Sequence, residues 1–469
     1  MFFSNHLTFY FIDDYDTKTI MQQLSKNMRF WDLVILGLLF IGPAAPIGLF
    51  GVLDAISDGA VALVYIVATL VMSFTAFSYA RMATALPHAG AVYAYCSIGI
   101  HPNAGFLVGW LLLLDYMFIP AVAYLFSGIS FNALIPEVPI WVWTCVAVML
   151  TTTLNLMGAK KSAKITLIIL IFEIIVLLAV LATGMWIIIT SESSKDWLQP
   201  FVGGNLFSWG KLFNAVSIAV LSYLGFDAIA TFSEENSGHH NLVSKAIMSC
   251  LILAGCLFVV QIYVGALLNP YSSDYLRSHP ELQGKAYYNI VNQEINLWLG
   301  WALSLMKAIG ASFAAMVGQA AASRLLFSMG RDKRLPPVFA KVGEKSGVPT
   351  MAILFAALFN LCLVVIAANN AKGLPTLVSF VDIGALTAFI MLHLSVIGYF
   401  KLKKGSKGWL SWFLDIFMPI IGIVVLLPVL LHIDNDAKIV GIIWLAIGVI
   451  ILYLNNNRTQ LLWLEKNER

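Results

Sequence analysis

Long apolar windows, separated by short polar stretches, recur along the whole chain. Each holds about 20 to 28 residues, the length of helix that crosses roughly 30 Å of hydrocarbon. The pattern predicts twelve of them, at about 31–55, 59–82, 104–132, 138–157, 165–189, 211–232, 242–268, 297–324, 350–369, 374–399, 411–432 and 437–455. We therefore predict an all-α, multi-pass integral membrane protein with twelve transmembrane helices.

Composition and charge agree with this prediction. The chain is 60% hydrophobic and 11% charged, whereas soluble domains are about 25% charged. If the N-terminus lies inside, 21 of the 28 Lys and Arg residues fall on one side of the bilayer and six on the other. Positive residues favour the cytoplasmic side, so both termini are predicted to be cytoplasmic in a plasma (inner) membrane. The orientation of the chain in the membrane explains why these loops are basic. We therefore predict no nucleic-acid partner.

The first apolar window contains two prolines that a regular helix cannot accommodate. Pro46 offers no amide hydrogen to the carbonyl of Gly42, and Pro43 offers none to Leu39. An unpaired peptide group in hydrocarbon costs several kcal/mol unless protein, water or a ligand supplies a partner. The alternative is a simple kink healed by neighbouring helices. Two prolines and two glycines close together favour a binding site, formed by Gly42, Pro43, Ala44, Ala45 and Pro46.

The sixth window contains a second candidate break, with a glycine and a carboxylate at mid-depth. Its predicted site residues are Ser222, Tyr223, Gly225, Phe226 and Asp227. Five windows separate the starts of the two interrupted helices, so they enter the bilayer from opposite sides, as in two five-helix repeats of inverted topology. Gly225 has an alternative role as a packing glycine between close helices.

The predicted organisation has five parts. They are a cytoplasmic N-terminal tail (1–28), a first five-helix repeat (29–190), an inverted second repeat (208–400), two further helices (409–456) and a cytoplasmic C-terminal tail (457–469). No secretory signal is expected, and Met21 is an alternative start to Met1. The five cysteines lack metal-site spacing, so we predict no metal and no cofactor. A monomer and a homodimer are both compatible with the sequence.

Several motifs resemble those of the amino acid-polyamine-organocation permeases, over residues 25–455. They are Leu86-Pro87-His88-Ala89-Gly90-Ala91-Val92-Tyr93-Ala94-Tyr95, Gly105-Phe106, Gly109-Trp110, Leu224-Gly225-Phe226-Asp227, Ser233-Glu234-Glu235, Ser323-Arg324-Leu325-Leu326, Met329-Gly330-Arg331-Asp332 and Leu335-Pro336. The motifs most similar to those of bacterial putrescine importers are Leu114-Asp115-Tyr116, Pro136-Glu137-Val138-Pro139 and Met329-Gly330-Arg331-Asp332. The resemblance implies a leucine-transporter-type core of ten helices plus two, and secondary transport of an amine or amino acid.

One departure from that family bears on the substrate. Amino acid transporters of the family usually carry Gly-Ser-Gly at the first break, where exposed amides receive a carboxylate. This chain has Gly42-Pro43-Ala44, and the proline removes one donor. Such a break suits an ammonium group better than a carboxylate. Small apolar substrates remain an alternative, because some backbone amides are still available as donors. They belong to Ala44, Ala45, Ile47 and Gly48.

Acidic residues inside the membrane cost roughly 2.5–3.5 kcal/mol each, so they need a reason. Asp227 lies where, by resemblance, relatives carry a glutamate tied to proton coupling. The alternative for Asp227 is a structural hydrogen bond to neighbouring backbone. Asp115 and Tyr116 lie midway along the third window and could hold an ammonium by charge and cation–π contact. The alternatives for Asp115 are snorkelling or a salt bridge. Glu173 is either a proton-coupling group or a counter-charge for Lys307, and Asp382 is a weaker candidate.

Other candidates concern gating. Trp110, Tyr223 and Phe226 are either lids over a bound amine or ordinary packing residues. Glu234 and Glu235, near the predicted cytoplasmic mouth, form either an exit vestibule or a solvated helix end.

The sequence thus predicts a secondary transporter that imports a small amine such as putrescine by alternating access. Membrane potential supplies roughly 2.3 kcal/mol per charge at 100 mV, and protons are the expected coupling ion. The alternative is a proton-coupled amino acid symporter or an amino acid/amine exchanger. An enzyme or channel is a third hypothesis, but no HExxH or GxSxG motif is present and no enzyme activity is predicted.

Overall fold

The computed structural model describes residues 24, 26–191, 196–239, 241–370, 373–431 and 435–467. These residues form helices, with no β-strand among them, which confirms the all-α prediction. The α-helices are α1 (Phe30–Ile41), α2 (Phe50–Ser57), α3 (Val61–Ala85), α4 (Val92–Gly99), α5 (Pro102–Leu134), α6 (Ile140–Leu156), α7 (Ala159–Thr190), α8 (Gln199–Val202), α9 (Trp209–Ala219), α10 (Ala228–Thr231), α11 (Asn241–Leu268), α12 (Ser273–Ser278), α13 (Pro280–Gln283), α14 (Ala286–Ile290), α15 (Leu297–Arg331), α16 (Thr350–Ala368), α17 (Gly373–Ile397), α18 (Trp409–Trp412), α19 (Met418–Leu431) and α20 (Asn435–Asn467).

Ten membrane-spanning candidates occur in the described part of the chain, judged by helix length and apolar composition. Two shorter apolar helices, Ile140–Leu156 and Lys438–Leu454, coincide with the predicted fourth and twelfth windows. Apolar side chains such as Ile168 and Ile175 of α7 point outward and are more than half exposed, as expected for surfaces that face lipid. These are the features of a multi-pass integral membrane protein. The count of twelve spans and the inverted-repeat layout stay predictions.

The first span is broken where the prolines predict. α1 ends at Ile41, and the amide of Gly42 donates to the carbonyl of Leu38 at 3.0 Å. Gly42 has φ +79°, a left-handed conformation that glycine adopts at little cost. A short 3₁₀ turn, Ala45–Gly48, follows, and the helix resumes as α2.

The sixth span is also broken. α9 ends at Ala219 and continues as a 3₁₀ turn, Val220–Tyr223. Gly225 has φ +118°, and the chain then re-enters a helix only at α10. Both predicted breaks are therefore confirmed.

The two breaks lie against each other. A Cβ atom on Gly225 would come within 3.0 Å of the Phe40 ring and 3.1 Å of the Ile41 amide nitrogen. Gly225 is thus required both for its backbone conformation and for this close approach. The packing-glycine interpretation and the break interpretation are both correct at this position.

The long helix α5 lies beside the breaks and packs against α15 and α17. Its contact with α17 is close, because a Cβ on Gly384 would lie 2.8 Å from the Leu111 carbonyl oxygen and 2.9 Å from the Asp115 amide nitrogen. This crossing fixes Asp115 and Tyr116 of α5 next to α17.

The structure bears differently on the two predicted terminal tails. Residues 1–23 and 25 of the N-terminal tail lie outside the described residues. Met28 is buried, and its amide and carbonyl pair with the backbones of Glu235 and Ser237, both at 2.9 Å. The start of the first span is therefore bonded to the end of the sixth. At the other terminus, α20 continues to Asn467, so a helix occupies most of the segment predicted as a tail from residue 457.

Candidate functional site

Asp227 lies at the break of the sixth span and is fully buried. Its Oδ2 accepts hydrogen bonds from the hydroxyls of Tyr116 at 2.5 Å and Tyr79 at 3.3 Å. Its Oδ1 accepts from the amide of Gly225 at 3.2 Å. None of the salt bridges between described residues includes Asp227. The carboxyl group is therefore bonded by neutral donors only, and no described cationic side chain pairs with it.

Aromatic side chains pack against one another next to this carboxylate. The ring of Tyr79 packs edge-on against those of Phe226 and Phe389, with centroids 5.8 Å apart in both cases. Phe226 also lies 6.1 Å from Phe389. All three rings are buried. Phe226 is thus part of an aromatic cluster next to Asp227, and its role as a lid stays a prediction.

Asp115 and Tyr116 are consecutive on α5, and both are buried. Tyr116 bonds to Asp227, and Asp115 lies within electrostatic range of the same residue. Oδ1 of Asp115 has no hydrogen-bond partner. Neither snorkelling nor a salt bridge, the two alternatives for Asp115, is found among the described residues.

The backbone of the first break is largely satisfied by protein groups, contrary to the sequence-based expectation. The Gln261 side chain donates to the carbonyl of Pro43 at 3.1 Å, and the Lys307 ammonium donates to that of Ala44 at 3.3 Å. The amides of Ala45 and Ile47 are used in turn hydrogen bonds. These two amides were expected to be available to a substrate, and that expectation is wrong because the 3₁₀ turn consumes them.

Glu173 lies on α7 and is buried, with Oε2 lacking a hydrogen-bond partner. Its Oε1 lies against Gly310 of α15, where a Cβ would clash with it. Lys307 acts on Glu173 electrostatically, but the two form no salt bridge within 4.0 Å. Lys307 is instead hydrogen-bonded to the first break, so the counter-charge interpretation holds only at longer range.

Ser222 and Tyr223 belong to a separate polar group. The Ser222 hydroxyl bonds to that of Tyr65 at 2.9 Å, and the Tyr223 hydroxyl bonds to that of Thr69 at 2.6 Å. Tyr223 also packs against Phe258, with ring centroids 5.1 Å apart. These contacts join the sixth break to α3 and α11, so they are packing contacts rather than contacts with Asp227.

Trp110 packs against the last helix. Its ring stacks on Trp444 with centroids 4.8 Å apart, and each indole N–H donates to the other residue's carbonyl, at 2.8 and 2.7 Å. This arrangement joins α5 to α20. The described contacts of Trp110 support the packing alternative, and its gate role stays a prediction.

Glu234 and Glu235 form ion pairs with α15. Glu234 receives two hydrogen bonds of 2.7 Å from Arg331, and Glu235 pairs with Arg324, whose guanidinium lies 3.9 Å from the Phe232 ring centroid. Glu235 is fully buried, so it is not part of a solvated helix end. The two pairs join the end of the sixth span to α15, at the end of the molecule at which α1 begins.

The environment sets the charge state of Glu234. Burial favours the neutral acid, but hydrogen bonds from His88, Arg331 and the amide of Ala89 outweigh it and hold the pKa of Glu234 well below its ordinary value. Glu234 therefore stays ionised at physiological pH, and its ion pair with Arg331 is kept.

Tyr79, Gln261 and Phe389 were not predicted from the sequence as site residues, and Lys307 was predicted only as the partner of Glu173. Lys307 carries a recognisable signal, because it is an isolated charge within the eighth window. Tyr79, Gln261 and Phe389 carry none, since a tyrosine, glutamine or phenylalanine in a membrane helix is most often a packing residue.

The model of the amino acid permease family matches residues 32–459. The chain belongs to this family. The low-affinity putrescine importer PlaP of Escherichia coli (strain K12) is 29% identical, with 92% of this chain and 93% of PlaP covered.

Two further relatives illustrate the range of substrates. The branched-chain amino acid permease BcaP of Lactococcus lactis subsp. cremoris (strain MG1363) is 24% identical, over 84% of this chain and 86% of BcaP. The methylthioribose transporter of Bacillus subtilis (strain 168) is 26% identical, over 94% of this chain and 95% of that protein. The resemblance inferred from the motifs is thus confirmed, and the protein is a permease of small molecules.

Proposed function

We propose that this protein imports a small amine, of which putrescine is the best candidate, by secondary active transport. The fully buried Asp227 at the break of the sixth span carries the proposal. It is stabilised by tyrosine hydroxyls and one amide rather than by a cationic side chain. A charge left uncompensated in a low-dielectric site favours a ligand of opposite charge, because pairing offsets the cost of burial. The similarity to PlaP supports the same substrate class.

The first break favours an amine over an amino acid. An α-carboxylate needs free amide donors, and those of Ala45 and Ile47 are already used. The ammonium of Lys307 lies near this break and could serve a carboxylate there, but it is bonded to the carbonyl of Ala44. These two observations make an amino acid the second candidate, which the relatives named as amino acid permeases keep open.

Two driving forces are available to an amine. A divalent amine moving inward gains roughly 2.3 kcal/mol per charge for each 100 mV of membrane potential. Proton coupling would use Asp227 and Glu173, two of the buried acids. In this proposal the protein lies in the plasma (inner) membrane with both termini cytoplasmic, as the distribution of Lys and Arg predicts.

The direct test is uptake of radiolabelled putrescine into proteoliposomes that contain the purified protein. Putrescine should accumulate when the interior is negative, and unlabelled diamines should compete more strongly than leucine or arginine. Competition by amino acids alone would instead support the amino acid symporter. Uptake that requires internal substrate would identify an exchanger.

A further inference from the structure

Asp115 is a buried carboxylate whose Oδ1 has no hydrogen-bond partner among the described residues. Its side chain lies in the middle of α5, the residue is 2% exposed, and Oδ1 accepts no hydrogen bond. No described Lys, Arg or His forms a salt bridge with it. Buried polar groups in native proteins are almost always bonded, so an exception needs an explanation. A ligand that supplies the missing partner is such an explanation.

The surroundings of Asp115 are acidic. The negative charges of Asp227, on the sixth span, and Asp382, on α17, both act on it. Tyr79 lies within electrostatic range of both Asp115 and Asp227. Its hydroxyl donates a hydrogen bond to Asp227. Two carboxylates of one site are therefore present on α5 and at the sixth break, with an aromatic residue near both.

We infer that Asp115 binds the second ammonium group of a substrate that carries two, so that the site selects α,ω-diamines over monoamines. This inference rests on the proposed function, in which Asp227 binds the first ammonium. Each ammonium group then meets one buried carboxylate, Asp115 or Asp227, and the pairing offsets the cost of burying both charges. A monoamine of the same length leaves one buried carboxylate unpaired, which is costly. Asp115 is thus a specificity-determining residue.

The first test needs only the unaltered protein. n-Butylamine and putrescine have the same carbon chain and differ by one ammonium group. In proteoliposomes, n-butylamine should inhibit uptake of labelled putrescine at least about 30-fold more weakly than unlabelled putrescine does, since losing one partner of a buried charge pair has at least this effect. Equal inhibition by the two amines would overturn the inference while leaving amine import intact. Absence of any amine uptake would overturn the proposed function and this inference together.

The second test removes the charge with Asp115→Asn, which keeps the shape of the side chain. The inhibition constant of putrescine should rise at least about 30-fold, and that of n-butylamine should stay within about 2-fold. Glu294→Gln, which alters an exposed carboxylate outside the site, is the matched control and should change neither constant. Equal weakening of both amines by Asp115→Asn would mean that Asp115 only positions Tyr116, and would overturn the inference.

Discussion

The hydroxyl of Tyr116 donates to Oδ2 of Asp227 at 2.5 Å, across 111 residues of sequence. This bond joins the middle of α5 to the break of the sixth span. It orients the carboxylate whose charge the protein leaves uncompensated, and hydrogen bonds to charged groups are the stronger kind. A carboxylate has about four acceptor positions, so a substrate ammonium can bind in addition to the tyrosines.

Asp227→Asn should abolish coupling to pH. Asparagine cannot load and release a proton, and it provides no charge for an ammonium. We expect uptake of putrescine to fall at least about 30-fold and the remaining uptake to be independent of pH. Initial rates in proteoliposomes between pH 5.5 and 8 measure both effects. A variant that keeps the full pH dependence would remove Asp227 from the coupling role.

The two tyrosines that bond to Asp227 should contribute unequally to putrescine binding. Tyr116→Phe removes the shorter hydrogen bond and should weaken putrescine binding by about 10- to 100-fold, because a hydrogen bond to a charged group contributes about 1.5–3 kcal/mol. Tyr79→Phe, which removes a bond of 3.3 Å, should have a smaller effect.

The matched control is Tyr124→Phe. Its hydroxyl is also buried, but bonds to Thr151 at 2.6 Å instead of to Asp227. Half-saturation constants for putrescine uptake should be unchanged in this variant. A similar loss in all three variants would indicate a general packing defect.

Gly225→Ala should disrupt the contact between the breaks. The methyl group would enforce an unfavourable φ and press on Phe40 and Ile41, at a cost of about 1–3 kcal/mol. We expect protein that inserts in the membrane but has strongly reduced uptake and a lower unfolding temperature. Gly210→Ala is the control, because Gly210 has no positive φ and no atom within 4 Å of an added Cβ. If both variants behave alike, the contact at Gly225 does not matter.

The ionised form of Glu234 should make the stability of the protein sensitive to low pH. The pKa of Glu234 is lowered in the folded protein, so the stability that its ionised form contributes is fully present above the unfolded value of about 4.3 and is lost as the pH falls through the lower, folded value. Glu234→Gln should therefore lower the thermal midpoint by several degrees at pH 6, and this difference should shrink as the pH falls below about 4.

Thermal unfolding in detergent measures this difference. Glu344→Gln, a change at an exposed carboxylate, is the control and should match the unaltered protein at each pH. A difference between Glu234→Gln and the unaltered protein that is constant from pH 6 to pH 3 would contradict the assignment of the effect to ionised Glu234.

The sequence by itself determined the membrane class and the two breaks. Apolar windows dictate spanning helices, because lipid offers no partners to an open backbone. Pro43, Pro46 and Gly225 interrupt those helices through local backbone chemistry, which needs no tertiary contact. The family resemblance and the all-helical fold also followed from residues that are close together in the chain.

Only the tertiary structure decided which polar groups meet. Tyr79 and Tyr116 bond to Asp227, Lys307 bonds to Ala44, and Trp110 stacks on Trp444, each pair more than 100 residues apart. Side-chain periodicity on one helix does not specify which neighbouring helix a residue faces. The packing of the helices around the two breaks does so, and it therefore decides which carboxylates keep an unpaired charge.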